Sequence, residues 1–148
     1  MMKTVDLYTD GACSGNPGVG GYCAILIYNK IEKVVSGCEK DTTNNRMELL
    51  AVIKGLECLK EKCKVNLYSD SQYVVDAFNK EWIYNWVNNG WKTSDRKEVK
   101  NVDLWKKLLE LSSYHQLNYI KVKGHSDNEY NNRCDKIAVE EYKKIQTN

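Results

Sequence analysis

Leu7-Tyr8-Thr9-Asp10 closes one β-like run, and Leu67-Tyr68-Ser69-Asp70 closes another about sixty positions later. In both, aliphatic and aromatic residues lead to a hydroxyl residue and then an Asp, followed by small or polar residues (Gly11-Ala12 and Ser71-Gln72). If the two runs are neighbouring parallel strands in register, their terminal Asp residues lie about 4.8 Å apart, one inter-strand spacing. Two carboxylates at about 4 Å repel by roughly 4 kcal/mol at an effective dielectric near about 20, so a cation is expected between them. The alternative is that each Asp merely ends a strand, as Asp often does. The matched pair makes that alternative less comfortable.

The chain of 148 residues is expected to form a single catalytic domain over 1–148, long enough to bury roughly 70% of its unfolded surface. Hydrophobic residues at 42% and charged residues at 28% are ordinary for a soluble chain. A formal net charge of +2 permits a polyanionic partner without demanding one. The longest apolar run, residues 22–28, is far too short to span a bilayer, so no membrane association is expected. The start, Met1-Met2-Lys3-Thr4-Val5-Asp6, lacks the apolar core of a signal peptide, and a cytoplasmic location is expected. Six cysteines (13, 23, 38, 58, 63 and 134) form no C-x-x-C pair, and two histidines give them little help. A zinc site is therefore disfavoured, and reduced, mostly buried thiols fit better.

Along the chain, residues 4–10 read as a strand, residues 11–21 as a Gly-rich turn, and 22–28 as a buried second strand. The turn is not a P-loop, since it lacks the G-K-[ST] ending and leads into a strand. A tight turn at Asn29-Lys30 and a third strand over 33–39 complete a meander. The N-cap cluster Thr42-Thr43-Asn44-Asn45 predicts a helix reaching about Lys62, with Glu48 in the first turn of its apolar face. A capping box with Asn45 as N-cap and Glu48 at the third position is the competing account. A strand over 65–70 and a short helix from Ser71 to Asn79 follow. All four tryptophans (82, 86, 91, 105) then fall within residues 82–105, interleaved with Lys92, Arg96, Lys97 and Lys100. That texture suits a nucleic-acid backbone and its bases, or else two short helices and a Trp-anchored loop. A helix over 102–114, a strand over 117–122, a polar loop over 123–128 and a helix from about Asn131 complete the chain. The last helix carries Asp135 near its apolar face, where interaction with the helix dipole is the alternative role.

Asp10, Glu48, Asp70 and Asp135 thus come from four elements, each at an element end near an apolar face. Open α/β sheets build their sites at the carboxyl ends of strands. Four carboxylates there raise one another's pKa values unless hard divalent cations compensate them. All-oxygen ligation points to Mg2+, with Mn2+ as a substitute. Two such ions would suit phosphodiester hydrolysis of a nucleic acid.

At this level the chain resembles the type 1 ribonucleases H over nearly its whole length. Tyr8-Thr9-Asp10-Gly11-Ala12-Cys13-Ser14-Gly15-Asn16-Pro17-Gly18 is similar to the family's first motif, Thr43-Asn44-Asn45-Arg46-Met47-Glu48 to its second, and Ser69-Asp70-Ser71-Gln72-Tyr73 to its third. Trp82, Gly90-Trp91-Lys92-Thr93 and Asn101-Val102-Asp103-Leu104-Trp105 resemble its substrate-binding handle, here at about 80–101. Val122-Lys123-Gly124-His125 and Asn132-Arg133-Cys134-Asp135 complete the set. The resemblance implies an α/β ribonuclease H-like fold, a five-stranded mixed sheet of order 3-2-1-4-5 with helices on both faces. It implies a monomer that cuts the RNA strand of RNA–DNA hybrids with two Mg2+ ions, leaving 3′-hydroxyl and 5′-phosphate ends. Asp10, Glu48, Asp70 and Asp135 would be the metal-binding tetrad, with His125 assisting water activation or product release. Cys13, Asn16, Asn44, Asn45 and Gln72 would contact the minor groove and RNA 2′-hydroxyls. Thr43, Arg46 and Asn101 would grip a DNA-strand phosphate, and Trp82 and Trp105 would contact the DNA strand.

The chain departs from that pattern at Val87-Asn88-Asn89, where basic members carry a cationic cluster. The departure implies weaker hybrid binding with unaltered chemistry. Integrases and junction resolvases of the same superfold would need DNA-binding segments for which 148 residues leave no room. A hybrid-binding module without chemistry would not need all four carboxylates and His125. A severed reverse-transcriptase domain stays open.

Overall fold

A computed structural model describes residues 2–123 and 128–146. Strands β1 (Lys3–Cys13), β2 (Gly18–Tyr28) and β3 (Ile31–Thr42) form an antiparallel meander. Strand β4 (Cys63–Ser69) then adds parallel to β1, and β5 (Gln116–Lys121) parallel to β4, giving the order β3-β2-β1-β4-β5. Two parallel additions require crossovers. Helix α1 (Asn44–Glu57) makes the first, while α2 (Gln72–Asn79), α3 (Trp82–Asn88) and α4 (Val102–Tyr114) fill the second. Helix α5 (Glu129–Gln146) follows β5 and packs on β1, β2 and β3.

Alternation along the strands decides which side each layer covers. Val5 and Leu7 of β1 and Ala24 and Leu26 of β2 face the larger core, with Leu49, Val52 and Leu56 of α1 and Trp105 and Leu108 of α4. Cys23 and Ile25 face the other way, onto Cys134 and Ala138 of α5. Helices therefore cover both faces, as the resemblance implied.

Several boundaries differ from the sequence reading. The Gly-rich stretch is mostly strand, and only residues 14–17 lie between β1 and β2. Its glycines serve close packing, for a Cβ at Gly21 would overlap the Ala138 carbonyl of α5. Strand β3 runs to Thr42, so the N-cap of α1 is Thr43, whose side chain accepts from the Arg46 N–H; Asn45 lies inside the helix and no capping box forms. Helix α1 stops at Glu57, well short of residue 62, because Cys58 and Leu59 donate to the Gly55 and Leu56 carbonyls and tighten the last turn. Between Trp82 and Trp105 there is one short helix and a long irregular segment. Helix α5 begins two residues earlier than expected, with the Asn131 N–H donating to the Asn128 side chain at 2.9 Å.

Candidate active site

The echoed phrase is a true register. Every β1 residue from Lys3 to Tyr8 pairs with the β4 residue sixty positions later, Tyr8 with Tyr68. Asp70 follows the last residue of β4, and Asp10, inside β1 three residues before its end, stands beside it just beyond the last β1–β4 pair. Helix α1 brings the third carboxylate. Gly11 lets the helix start lie directly against the strand, since a Cβ there would overlap the Met47–Glu48 backbone. The Gly11 N–H then donates to Glu48 Oε1, and it lies 2.9 Å from Asp10 Oδ1. Asp10, Glu48 and Asp70 each present an oxygen within 4.8 Å of the others. Asp135 of α5 lines the same cavity, of about 440 Å3, but its carboxylate stands outside that tight group.

Asp10 and Glu48 are each only 4% exposed. Burial pushes the Asp10 carboxyl far above the usual carboxylate range, and the Glu48, Asp70 and Asp135 charges push it further. Burial also raises Glu48, to about 7, while hydrogen bonds from Asp10, the Gly11 N–H and Ser71 hold it down. Without a cation, burial and mutual repulsion thus favour the protonated form in this pair of carboxyls. Among the described residues, no lysine or arginine forms an ion pair with Asp10, Glu48 or Asp70. A buried, all-oxygen donor set without an internal cation fits a hard divalent ion.

Around the carboxylates the cavity wall is polar and small: Ala12, Cys13, Asn44, Asn45, Ser71, Gln72 and Tyr73. Asn16 holds the Asn44 N–H at 2.9 Å and joins Thr43, Asn44, Asn45, Lys100 and Asn101 around a second cavity. Arg46 does not line it. Its guanidinium is bidentate on Asp103 at 2.9 and 3.0 Å, with Asn101 Oδ1 at 3.3 Å. Lys100, beside Asn101, is the exposed cation at this cavity, and the sequence reading gave it no such place. Tyr73 also lacked a role, yet its hydroxyl accepts from Asn101 Nδ2 at 3.1 Å and Trp105 Nε1 at 2.9 Å. A pairing such as Arg46–Asp103, far apart in sequence, leaves no pattern to read.

Trp105 corrects an expectation. It is wholly buried, packed on Tyr73, Phe78 and Trp86, so its ring cannot touch a DNA strand. Its apolar bulk and satisfied N–H make it a core residue beneath the handle. Trp82, by contrast, is 40% exposed. It lines a groove of about 310 Å3 with Asn85, Trp86, Asn89, Lys92, Thr93 and Ser94. His125 and its neighbours 124–127 lie outside the described residues.

A mixed sheet of this order, with helices on both faces and a carboxylate cleft at the strand ends, is the RNase H-like fold. The RNase H family model matches residues 2–143, and the chain belongs to that family of hydrolytic ribonucleases. It is 64% identical over 143 residues to a ribonuclease H of Acetivibrio thermocellus, covering 97% of this chain and 97% of that protein. Among solved structures it resembles LC9-RNase H1, a type 1 RNase H with the type 2 active-site motif, at a TM-score of 0.87 and 26% identity, covering 96% of this chain and 73% of that one. It also resembles LC11-RNase H1 in complex with an RNA/DNA hybrid, at a TM-score of 0.75 and 23% identity, covering 96% and 99% of the two chains. No helix among the described residues is long and apolar enough to cross a membrane.

Proposed function

We propose that this protein is a single-domain endoribonuclease that hydrolyses the RNA strand of RNA–DNA hybrids. The observation that carries the reading is the convergence of three carboxylate oxygens within 4.8 Å, two from buried side chains and none paired with a cationic side chain among the described residues. The hybrid bound to LC11-RNase H1 supports the substrate.

Asp10, Glu48, Asp70 and Asp135 would hold Mg2+, two ions with substrate bound and Mn2+ as a substitute. The metal would activate a water and stabilise the leaving oxygen. Asp10 and Glu48 would have to be deprotonated to hold the cation, which would couple metal binding to pH. Water attack on phosphorus with rupture of the bond to the 3′ oxygen leaves 3′-hydroxyl and 5′-phosphate ends. His125 assists as a general acid–base or by easing product release. Cys13, Asn16, Asn44, Asn45 and Gln72 read the 2′-hydroxyls across the wide minor groove, where an amide both donates and accepts. Thr43 and Asn101, with Lys100 beside them and Arg46 behind, receive a DNA-strand phosphate. Trp82 offers a stacking or backbone-contacting face on the handle at about 80–101. Phosphate contacts set register without reading bases, so little sequence preference is expected. The protein would act as a monomer in the cytoplasm.

The test uses labelled RNA–DNA hybrid, duplex RNA and duplex DNA, each with and without Mg2+. Cleavage of hybrid RNA alone, dependent on the metal, is the expected result. Equal cleavage of duplex RNA, or full activity in chelator, would overturn the proposal.

A further inference from the structure

The echoed strands carry a second matched pair, two residues before the carboxylates and on the same face of the sheet. Tyr8 and Tyr68 are register partners, and their rings stack at 4.5 Å with planes 10° apart. Tyr130, in the first turn of α5, also packs against Tyr8, with ring centres 4.9 Å apart and planes tilted by 32°. The Arg133 guanidinium lies over Tyr130 at 5.9 Å and reaches Glu32 of β3 at 2.9 Å. Tyr8 is also hydrogen-bonded to Asn128, the residue that caps α5. The start of α5 is thereby fastened across the sheet from β4 to β3.

Asp135 sits between this fastening and a second one. Three residues further along α5, the Ala138 carbonyl lies against Gly21, where no side chain fits. Residue 130 is eight positions from that contact and residue 135 is three, about 12 Å and about 4.5 Å along the axis. A swing about the Gly21 contact that moves Tyr130 by about 1.5 Å would carry Asp135 by about 0.6 Å. Mg2+ demands near-ideal octahedral geometry at about 2.0–2.1 Å, and sites lose function beyond displacements of about 0.5 Å. Asp10, Glu48 and Asp70 are fixed by the sheet and by the α1–Gly11 contact. Asp135 alone depends on the seating of α5.

We propose that the Tyr68–Tyr8–Tyr130 stack is the positioning device for Asp135, setting where the fourth carboxylate stands relative to the Asp10–Glu48–Asp70 group. This rests on the reading of Asp135 as a metal ligand. The three tyrosines act as positioning residues, and none of them lines the carboxylate cavity.

The experiment titrates Mn2+ into the substrate-free protein by calorimetry and measures hybrid cleavage across a metal series. It compares wild type, Tyr130→Ala, Tyr68→Ala, Tyr130→Phe, Asp135→Asn and the double variant Tyr130→Ala/Asp135→Asn, each checked for cooperative melting. Tyr130→Ala should weaken Mn2+ binding about tenfold, the lower end of what losing a ligand-orienting partner costs. Its metal requirement for cleavage should rise in parallel, while the rate at saturating metal largely recovers. Tyr130→Phe keeps the ring and should behave as wild type, and Tyr68→Ala tests the stack should Tyr130→Ala fail to fold. In the Asp135→Asn background, Tyr130→Ala should have no further effect. Wild-type Mn2+ binding by a folded Tyr130→Ala or Tyr68→Ala protein would overturn the proposal, as would a full additional loss in the double variant. Wild-type Mn2+ binding by Asp135→Asn would instead overturn the ligand assignment beneath it, and the two failures are separately visible.

Discussion

Asp10 and Glu48 are 4% exposed, whereas Trp82, Tyr84 and Val87 on α3 are 40, 48 and 42% exposed. The first pair sits where two central strands and the first turn of a helix meet, each element fixed by main-chain pairing and core packing. The second set stands on a seven-residue helix followed by an irregular segment, held through Ile83, Trp86 and Val99 beneath it. Charge in the cleft is concentrated, largely buried and without an ion-paired cation among the described residues. Charge on the handle is dispersed and in water, where screening makes each group worth little alone. A change in the cleft should therefore act on chemistry and on stability together. A change on the handle surface should act on binding only.

Asp10→Asn or Asp70→Asn would break this contrast if turnover survived. The expected loss in Mg2+ is about three orders of magnitude or more, the scale of removing a group that stabilises transition-state charge. Metal-free stability gives the same contrast a sign. The Asp10 and Glu48 carboxyls are raised in the folded protein, so their contribution is fully present below the unfolded carboxylate range and is lost as pH rises toward the folded values. In chelator, the melting temperature should fall as pH rises from about 4 to about 7, against model carboxylate values near about 4. Asp10→Asn should flatten that fall and raise the melting temperature at neutral pH, and Mg2+ should reverse the trend in the wild type. A pH-independent melt in chelator would show that the cleft is already compensated.

A paired comparison of two tryptophans sharpens the division. Trp105→Ala should cost about 3–5 kcal/mol of unfolding free energy, as other buried aromatic truncations do. Trp82→Ala should leave the denaturation midpoint nearly unchanged and weaken hybrid binding by about 1–3 kcal/mol if a base stacks there. Denaturant melts and a binding titration read both. His125→Ala should slow turnover by about 10²-fold and leave residual activity, because acid–base help is a finite factor beside charge stabilisation. Complete loss with metal binding intact would make His125 central.

The smallest effect belongs to the handle. Replacing Val87, Asn88 and Asn89 with Lys, Lys and Arg should tighten hybrid binding at low salt and steepen log affinity against log salt by about two units. The saturated cleavage rate should not change. An unchanged slope in a salt series would mean that this stretch faces away from the hybrid.

The pairing of β1 with β4 and the approximate places of the four carboxylates were legible because they rest on periodicity and on a register that the sequence writes twice, whereas the full strand order came from the resemblance. Thr43 as N-cap was legible only to within a cluster of four, since any of Thr42, Thr43, Asn44 and Asn45 can cap and strand pairing to β2 decided how far β3 runs. The glycines at 20 and 21 looked like turn residues because nothing local distinguishes a glycine that bends the chain from one against which a helix packs. Trp105 was misread for a related reason. The resemblance gave it a DNA contact, and its neighbours on α4 do not reveal that Tyr73 and Trp86 pack against it.

The irregular part of the handle is tied at both ends. At one end Trp86 packs edge-on against Trp105, and its carbonyl takes the Trp91 N–H at 2.6 Å. At the other, Asn101 hydrogen-bonds to Tyr73 and Arg46, and Val99 is buried with its N–H on the Trp91 carbonyl. Both knots close on the same helix start, so what runs between them behaves as a cassette whose contents can be rewritten while its mounting stays in place. If the segment holds a polyanion as proposed, its grip can be retuned residue by residue without reopening the fold or the cleft. The segment is correspondingly a site at which an engineer could exchange sequence and read the result as affinity alone.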